Sequence, residues 1–428
     1  MIRQAAAFVS LALACAFALA GPPVAIRASH LFDATTGTLR GASTVLVQDG
    51  KILAVGSDLA APAGAEVIDL GEATLLPGFI DAHVHIDDED TDNPYRHFHD
   101  NLLDTAADRA LHGARFARKT VAAGFTTVRA VGSEEFVDVA LRRAIAAGDV
   151  PGPRIIGAGY ALGSPGSHCD TSFPSGKADN IAARGPLQGI CTGADQCREA
   201  VRLQMKFGVD VIKFCASGGV LSESDPLEAA QFTPAEMAAI VSEAHTWGRK
   251  VAAHAHGDHA ARLAVEAGVD SIEHGTLLTT DTLQLMKSKG TVLVPTRLAA
   301  VWVDQQADTF PPAIAVKARA VKKAHGEMVA NAYRLGVPMA FGTDTGVSPH
   351  GMNAREFGLL ADLGIPPAAA LLAATRDAAR LLGVDKETGT LEAGKSADIV
   401  AVAGNVLTDI RATEHPVFVM ARGIRVTN

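Results

Sequence analysis

Aromatic residues are scarce in this 428-residue chain, at 5%, which leaves few stacking surfaces for bases and argues against a single-stranded nucleic-acid binder. Positive charge is also short. With 38 Lys and Arg against 47 Asp and Glu the formal net charge is -9, and no basic patch of the kind a phosphate backbone needs is visible. Beyond the N-terminus no apolar run reaches the ~18 residues of a membrane span. No Gly-x-Gly-x-x-Gly follows an early strand, which disfavours a dinucleotide fold. At 48% hydrophobic and 20% charged residues, the composition is that of a globular enzyme and excludes a disordered chain.

Cysteine is sparse as well, five in all. Arg3, the apolar stretch that follows it and Ala18-Leu19-Ala20 have the shape of a secretory signal ending near Gly21, so residues 1–20 are expected to be removed and the mature chain to be periplasmic or secreted. Cleavage there discards Cys15 and leaves Cys169, Cys191, Cys197 and Cys215. In an oxidising compartment Cys169, Cys191 and Cys197, in a loop-rich stretch, are disulfide candidates. Cys191–Cys197 and Cys169–Cys191 are both open, whereas Cys215 on an apolar strand reads as a small core residue.

Residues 24–70 alternate in short strands, with a hairpin signal at Asp49-Gly50, and strand-like character returns at 389–402 and 418–426. Two β segments at opposite ends of a chain can join in one small β-sandwich, expected here over 21–74 and 388–428. Between them, strands at 75–86, 126–131, 154–158, 209–216, 250–254, 271–274, 291–295 and 337–343 alternate with helical stretches, several ending on Gly. Eight such units predict an α/β fold, a (β/α)8 TIM barrel over 75–387.

In such a barrel the chemistry sits at the C-terminal ends of the strands. The first ends in Pro77-Gly78-Phe79-Ile80-Asp81-Ala82-His83-Val84-His85, whose two histidines, two residues apart on a strand, face one side and can share a metal. The fourth carries Lys213 between Ile212 and Phe214, a lysine costly to bury unless paired or modified. The fifth ends at His254, with His256 two residues on; the sixth in Glu273-His274-Gly275; the eighth in Gly342-Thr343-Asp344-Thr345. Five strand ends that each carry a residue able to bind or bridge a metal are not a chance set. His256, His168 and His259 fit a solvent-facing or internally satisfied histidine equally well.

These motifs, with the flanking β segments and Gly389-Thr390-Leu391-Glu392-Ala393-Gly394-Lys395-Ser396-Ala397-Asp398-Ile399-Val400, resemble the metal-dependent amidohydrolase superfamily. Ala216-Ser217-Gly218-Gly219 and Gln231-Phe232-Thr233-Pro234 are similar to its prolidase-like branch, which includes Xaa-Arg and Xaa-Lys dipeptidases and ochratoxin-hydrolysing enzymes. The resemblance implies a homo-oligomeric hydrolase of dipeptides or N-acyl amino acids holding two divalent ions, zinc by ligand type. It assigns His83, His85 and Asp344 to one ion, His254 and His274 to the other, and a carbamate on Lys213 to the bridge, with Asp344 as proton shuttle. Arg297, His168 and His256 are candidate substrate contacts, and Glu223, Asp225 and Glu228 form an acidic loop that would favour a cationic side chain. Two alternatives stay open: a cyclic-amide hydrolase of the imidazolonepropionase type, which Lys213 disfavours, and a non-catalytic binding protein on the same fold.

Overall fold

Five of the segments read as strands fold with every residue buried or nearly so, as parallel strands covered on both faces require. The structure, a computed structural model, describes residues 21–89, 103–172, 184–222 and 225–427. Residues 1–20, where a leader is expected, positions 90–92 of the loop after the first strand, and Glu223 lie outside the described residues.

The central strands are β1 (Phe79–Val84), β2 (Phe125–Ala130), β3 (Arg154–Gly157), β4 (Val211–Cys215), β5 (Lys250–Ala255), β6 (Ser271–His274) and β7 (Val292–Val294). They pair in parallel, β1 with β2 and β2 with β3, then β4 through β7 in sequence order. Parallel bridges link Leu162 to Phe214, Leu293 to Met339 and Val84 to Thr345. The chain is thus an α/β protein with parallel strands, each separated from the next by helix, as in Ala106–Ala122 between β1 and β2 and Pro234–Thr246 between β4 and β5. The latter shows how the sequence sets a helix start. Thr233 accepts from the Glu236 N–H, the Glu236 carboxylate accepts back from the Thr233 N–H, and Pro234 occupies the first turn.

The segment predicted as one strand over 75–86 is two. Ala73–Pro77 pairs antiparallel with Ile399–Ala403, and β1 begins at Phe79. Gly78 is the joint: a Cβ there would stand 2.1 Å from Thr126 Oγ1, so only glycine lets the chain pass from one sheet to the other at this point. Ala73–Pro77 belongs to a six-stranded sheet built from both ends of the chain, and a four-stranded sheet lies beside it. The hairpin read at Asp49-Gly50 joins Ser43–Gln48 to Lys51–Gly56, with Asp49 at φ 50° and Gly50 at φ 75° as a type I′ turn demands. Ile26, Val45 and Val47 of the smaller sheet share one apolar cluster with Leu31, Leu75, Ile399 and Phe418 of the larger. Arg154 of β3 ties the parallel strands to this region through Asp398, 3.1 Å away, and Glu387, 2.9 Å away.

Candidate metal centre

Strand register brings the polar side chains to one level. Cys215 pairs with His254, His254 with Glu273 and Ala255 with His274, so the ends of β4, β5 and β6 deliver their residues side by side. At the end of β1, His83 and His85 each place Nε2 3.3 Å from the same oxygen, Asp344 Oδ1. Asp344 sits in the left-handed region, at φ 59°, held by its N–H donating to His83 O at 2.8 Å. Its Oδ1 is buried and accepts no hydrogen bond from the protein. A buried carboxylate oxygen without a hydrogen-bond partner, facing two imidazole nitrogens, fits a cation-binding set. Burial on its own would raise the Asp344 pKa, but His83 and His85 hold this carboxyl well below the usual range.

A second group lies alongside. His254, His256 and His274 offer ligand atoms all within 4.8 Å of one another, and the His254 and His274 ring centres are 4.6 Å apart. His274 joins the two groups, its ring 4.9 Å from that of His83. Burial, together with the neighbouring histidines, drives His254 and His274 well below the ordinary imidazole range and His256 to about 3. All three are neutral at pH 7, the form in which imidazole binds a metal. His274 and His256 direct Nδ1 at Thr296 Oγ1 and Thr276 Oγ1, each at 2.7 Å. Lys213 is 3% exposed, and burial lowers its ammonium to about 8 despite the charges of Glu273 and Asp344.

The structure therefore brings His83, His85, Lys213, His254, His274 and Asp344 to one place and adds His256 to the second histidine group. His168 joins them too. Its ring centre is 4.4 Å from that of His254, Nδ1 is 2.7 Å from Ser222 Oγ, and burial lowers its pKa to about 4. Arg297 is engaged elsewhere. Thr296, at φ 56°, turns the chain into the helix Arg297–Gln305, and the guanidinium donates to Lys322 O in the neighbouring helix Pro312–Leu335 at 2.5 Å. Asp225 is likewise turned inward, accepting from Gly219 N–H at 3.2 Å and Gln231 Nε2 at 2.8 Å, while Glu228 is exposed. Of the acidic loop, Asp225 is thus occupied within the protein.

The cysteines pair as Cys191–Cys197 and Cys169–Cys215. The first is one of the two arrangements left open by the sequence. The second replaces Cys169–Cys191 and removes Cys215 from the role of a free core residue. The bridge between Leu162 and Phe214 lays the exit of β3 along β4, and this brings residue 169 to within a Cα distance of 5.7 Å of residue 215.

Sequence reasoning overlooked the support behind His83. Arg129 of β2, 1% exposed, donates Nε to Ala82 O at 2.5 Å, Nη1 to Ser271 Oγ at 3.1 Å and Nη2 to Glu273 Oε1 at 2.7 Å. Glu273 turns its other oxygen to His83 Nδ1. The available signal was an arginine as the one charged residue of a buried strand, a placement that needs a buried partner.

Residues 74–426 match the amidohydrolase family. The chain is similar to ochratoxinase from Aspergillus niger, 32% identical over 358 residues that span 80% of this chain and 72% of that protein. It is similar to the crystal structure of a Xaa-Pro dipeptidase with methionine bound in its active site, at a TM-score of 0.90 and 34% identity, covering 94% of this chain and 99% of that one. A more distant relative is imidazolonepropionase from Rhizorhabdus wittichii, 28% identical over 418 residues, 86% of this chain and 91% of that protein.

Proposed function

This chain belongs to the amidohydrolase family and is a hydrolase of amide C–N bonds; within that family we propose a two-metal enzyme that cleaves an amide next to a free carboxylate, in dipeptides or N-acyl amino acids. The observation that carries the reading is the pair of adjoining ligand groups, His83, His85 and Asp344 beside His254, His256 and His274, with buried Lys213 in the same wall. His83, His85 and Asp344 would hold one divalent ion and His254 and His274 the other, zinc suiting a nitrogen and oxygen set. Ions held there supply a polarised amide carbonyl and a water acidic enough to attack near pH 7.

The chain's own residues do the rest. A lysine whose pKa burial has lowered to about 8 holds more of its neutral amine at pH 7 than a free lysine, so its Nζ can add carbon dioxide, losing one proton and becoming a carbamate whose single negative charge is shared by two oxygens. Asp344 would accept the proton of the attacking water and give it to the amine nitrogen as the C–O bond forms and the C–N bond breaks. His168, beside the second group, and His256, within it, are neutral and would hold the substrate carboxylate. The ochratoxinase and dipeptidase likenesses support this substrate class.

The same reading closes β1 to β7 and the segment 339–345 into a (β/α)8 barrel, supported by the three parallel bridges. It takes the two flanking sheets as an accessory β-sandwich, supported by their common apolar cluster. Export of a mature chain starting near residue 21, into a compartment that sustains both cystines, and self-association complete it. N-terminal sequencing of protein from its native host and sedimentation test these last two.

Metal analysis and a hydrolysis panel test the function. About two ions per chain, with turnover of N-acyl amino acids or dipeptides, are expected. One ion with turnover of a cyclic amide instead would favour the imidazolonepropionase-type alternative, and no metal and no turnover a binding protein.

A further inference from the structure

Among the described residues, one covalent link joins the loop after β3 to the end of β4, and it lies beside the histidine cluster. Cys169 follows His168 directly, and Cys215 stands two residues beyond Lys213 and in register with His254. Around them the fit is close. The His168 ring occupies the space a side chain on Gly219 would fill, since a Cβ there would lie 2.1 to 2.5 Å from three ring atoms. The His168 N–H donates to Gln231 Oε1 at 3.1 Å, and Ser164 Oγ donates to Gln231 O at 2.7 Å. With the contact of His168 Nδ1 to Ser222 Oγ at 2.7 Å these are individual hydrogen bonds, and the cystine is the covalent tie that acts on this loop beside them. Cys215 is 2% exposed on a buried strand, whereas Cys169 is only half-buried.

We infer that the Cys169–Cys215 cystine is a positioning element for His168: it fixes the imidazole over His254, and opening it frees His168 and weakens substrate binding while leaving both metal-ligand groups in place. This rests on the reading above, in which His168 meets the substrate. Reduction by a water-soluble phosphine balances simply. Phosphorus attacks one sulfur, the S–S bond breaks, water gives its oxygen to phosphorus and its two protons to the thiolates, and the phosphine is oxidised as the cystine is reduced. The other cystine, Cys191–Cys197, closes a six-residue separation on a segment whose Cys191 N–H donates to Gly163 O of the same loop at 3.0 Å, and it is the comparison against which the effect of Cys169–Cys215 is read.

The experiment takes the metal-loaded full chain, oxidised or phosphine-treated, with the state of each cysteine read by mass spectrometry. The first readout needs no substrate: the rate at which diethyl pyrocarbonate modifies His168, relative to exposed His259. Reduction is expected to raise that ratio at least fivefold in wild type and in a Cys191→Ser/Cys197→Ser variant. Cys169→Ser should show the raised ratio without reductant. For the fastest substrate of the hydrolysis panel, KM should rise about tenfold or more, with kcat within about threefold and the metal content unchanged. In a His168→Ala background, opening the cystine should add nothing to KM, because both changes remove one interaction. An unchanged His168 ratio after verified reduction overturns the proposal, as does a KM shift in His168→Ala equal to that of wild type. Absence of metal or of any turnover in the oxidised protein would instead count against the functional reading.

Discussion

The Glu273 carboxylate stands 2.7 Å from His83 Nδ1 and 2.7 Å from Arg129 Nη2, so one buried side chain links an arginine in the middle of the sheet to an imidazole at its edge. Burial alone would raise the Glu273 pKa, but Arg129 and His83 hold it at about 2. The charged carboxylate accepts from Nδ1–H, which leaves Nε2 of His83 free to face Asp344.

Glu273→Gln should therefore lower metal affinity by about 10- to 100-fold through loss of this support. Titration of chelator-stripped protein with zinc measures it. Arg129→Met leaves the Glu273 charge buried without its partner and should cost about 3–5 kcal/mol of stability, read by denaturant unfolding of the stripped protein. Wild-type affinity in Glu273→Gln would mean that His83 is oriented by other contacts.

Lys213→Ala should lose metal and activity together, and small carboxylates added in solution should restore part of both. Full activity in Lys213→Ala would refute the carbamate, since β4 presents no other bridging group: its remaining residues are Val211, Ile212, Phe214 and the cystine half Cys215.

Asp344→Asn separates ligand from proton carrier. The amide keeps an oxygen of similar size but cannot take a proton, so kcat should fall by about 10²–10⁴ while the metal content changes little. His254→Ala should lower occupancy and rate together. Near wild-type kcat in Asp344→Asn would exclude its role as the proton carrier.

Glu356 gives a pH prediction away from the site. Burial pushes its carboxyl up to about 8, even though the backbone N–H groups of Arg297 and Leu298 donate to it. Unfolded, it would titrate near 4.5. Between those values the folded chain binds more protons than the unfolded one, so this residue's contribution is full below the lower value and is lost as pH rises through 8. Urea midpoints at pH 5, 6, 7 and 8 should fall in wild type relative to Glu356→Gln. A constant difference between the two would show that Glu356 does not change its proton occupancy on unfolding.

The strand-end residues were legible in the sequence because a strand shows its side chains with period two, and His83 and His85 therefore share a face whatever surrounds them. Arg129 and Glu273 were not legible as a pair. They lie 144 positions apart, and only the closing together of β2 and β6 across the interior makes two buried charges compatible. The placement of Arg297 has a local reason. Position 297 follows a strand end, but the left-handed Thr296 starts a helix that carries the guanidinium to Lys322. The cystine partners of Cys169 and Cys191 depended on the path of a loop, which spacing alone does not set.

The pairing of Ala73–Pro77 with Ile399–Ala403 also governs how the molecule is made. A strand completed early in synthesis waits for a partner more than 300 residues later, and closing so long a loop carries an entropic cost that only the finished chain can offset. Until residue 403 is available, the apolar edge of Ala73–Pro77 is open to other chains. A nascent or truncated chain ending before that point should therefore need a chaperone to stay dispersed, and deletions that remove Ile399–Ala403 should fail as aggregates.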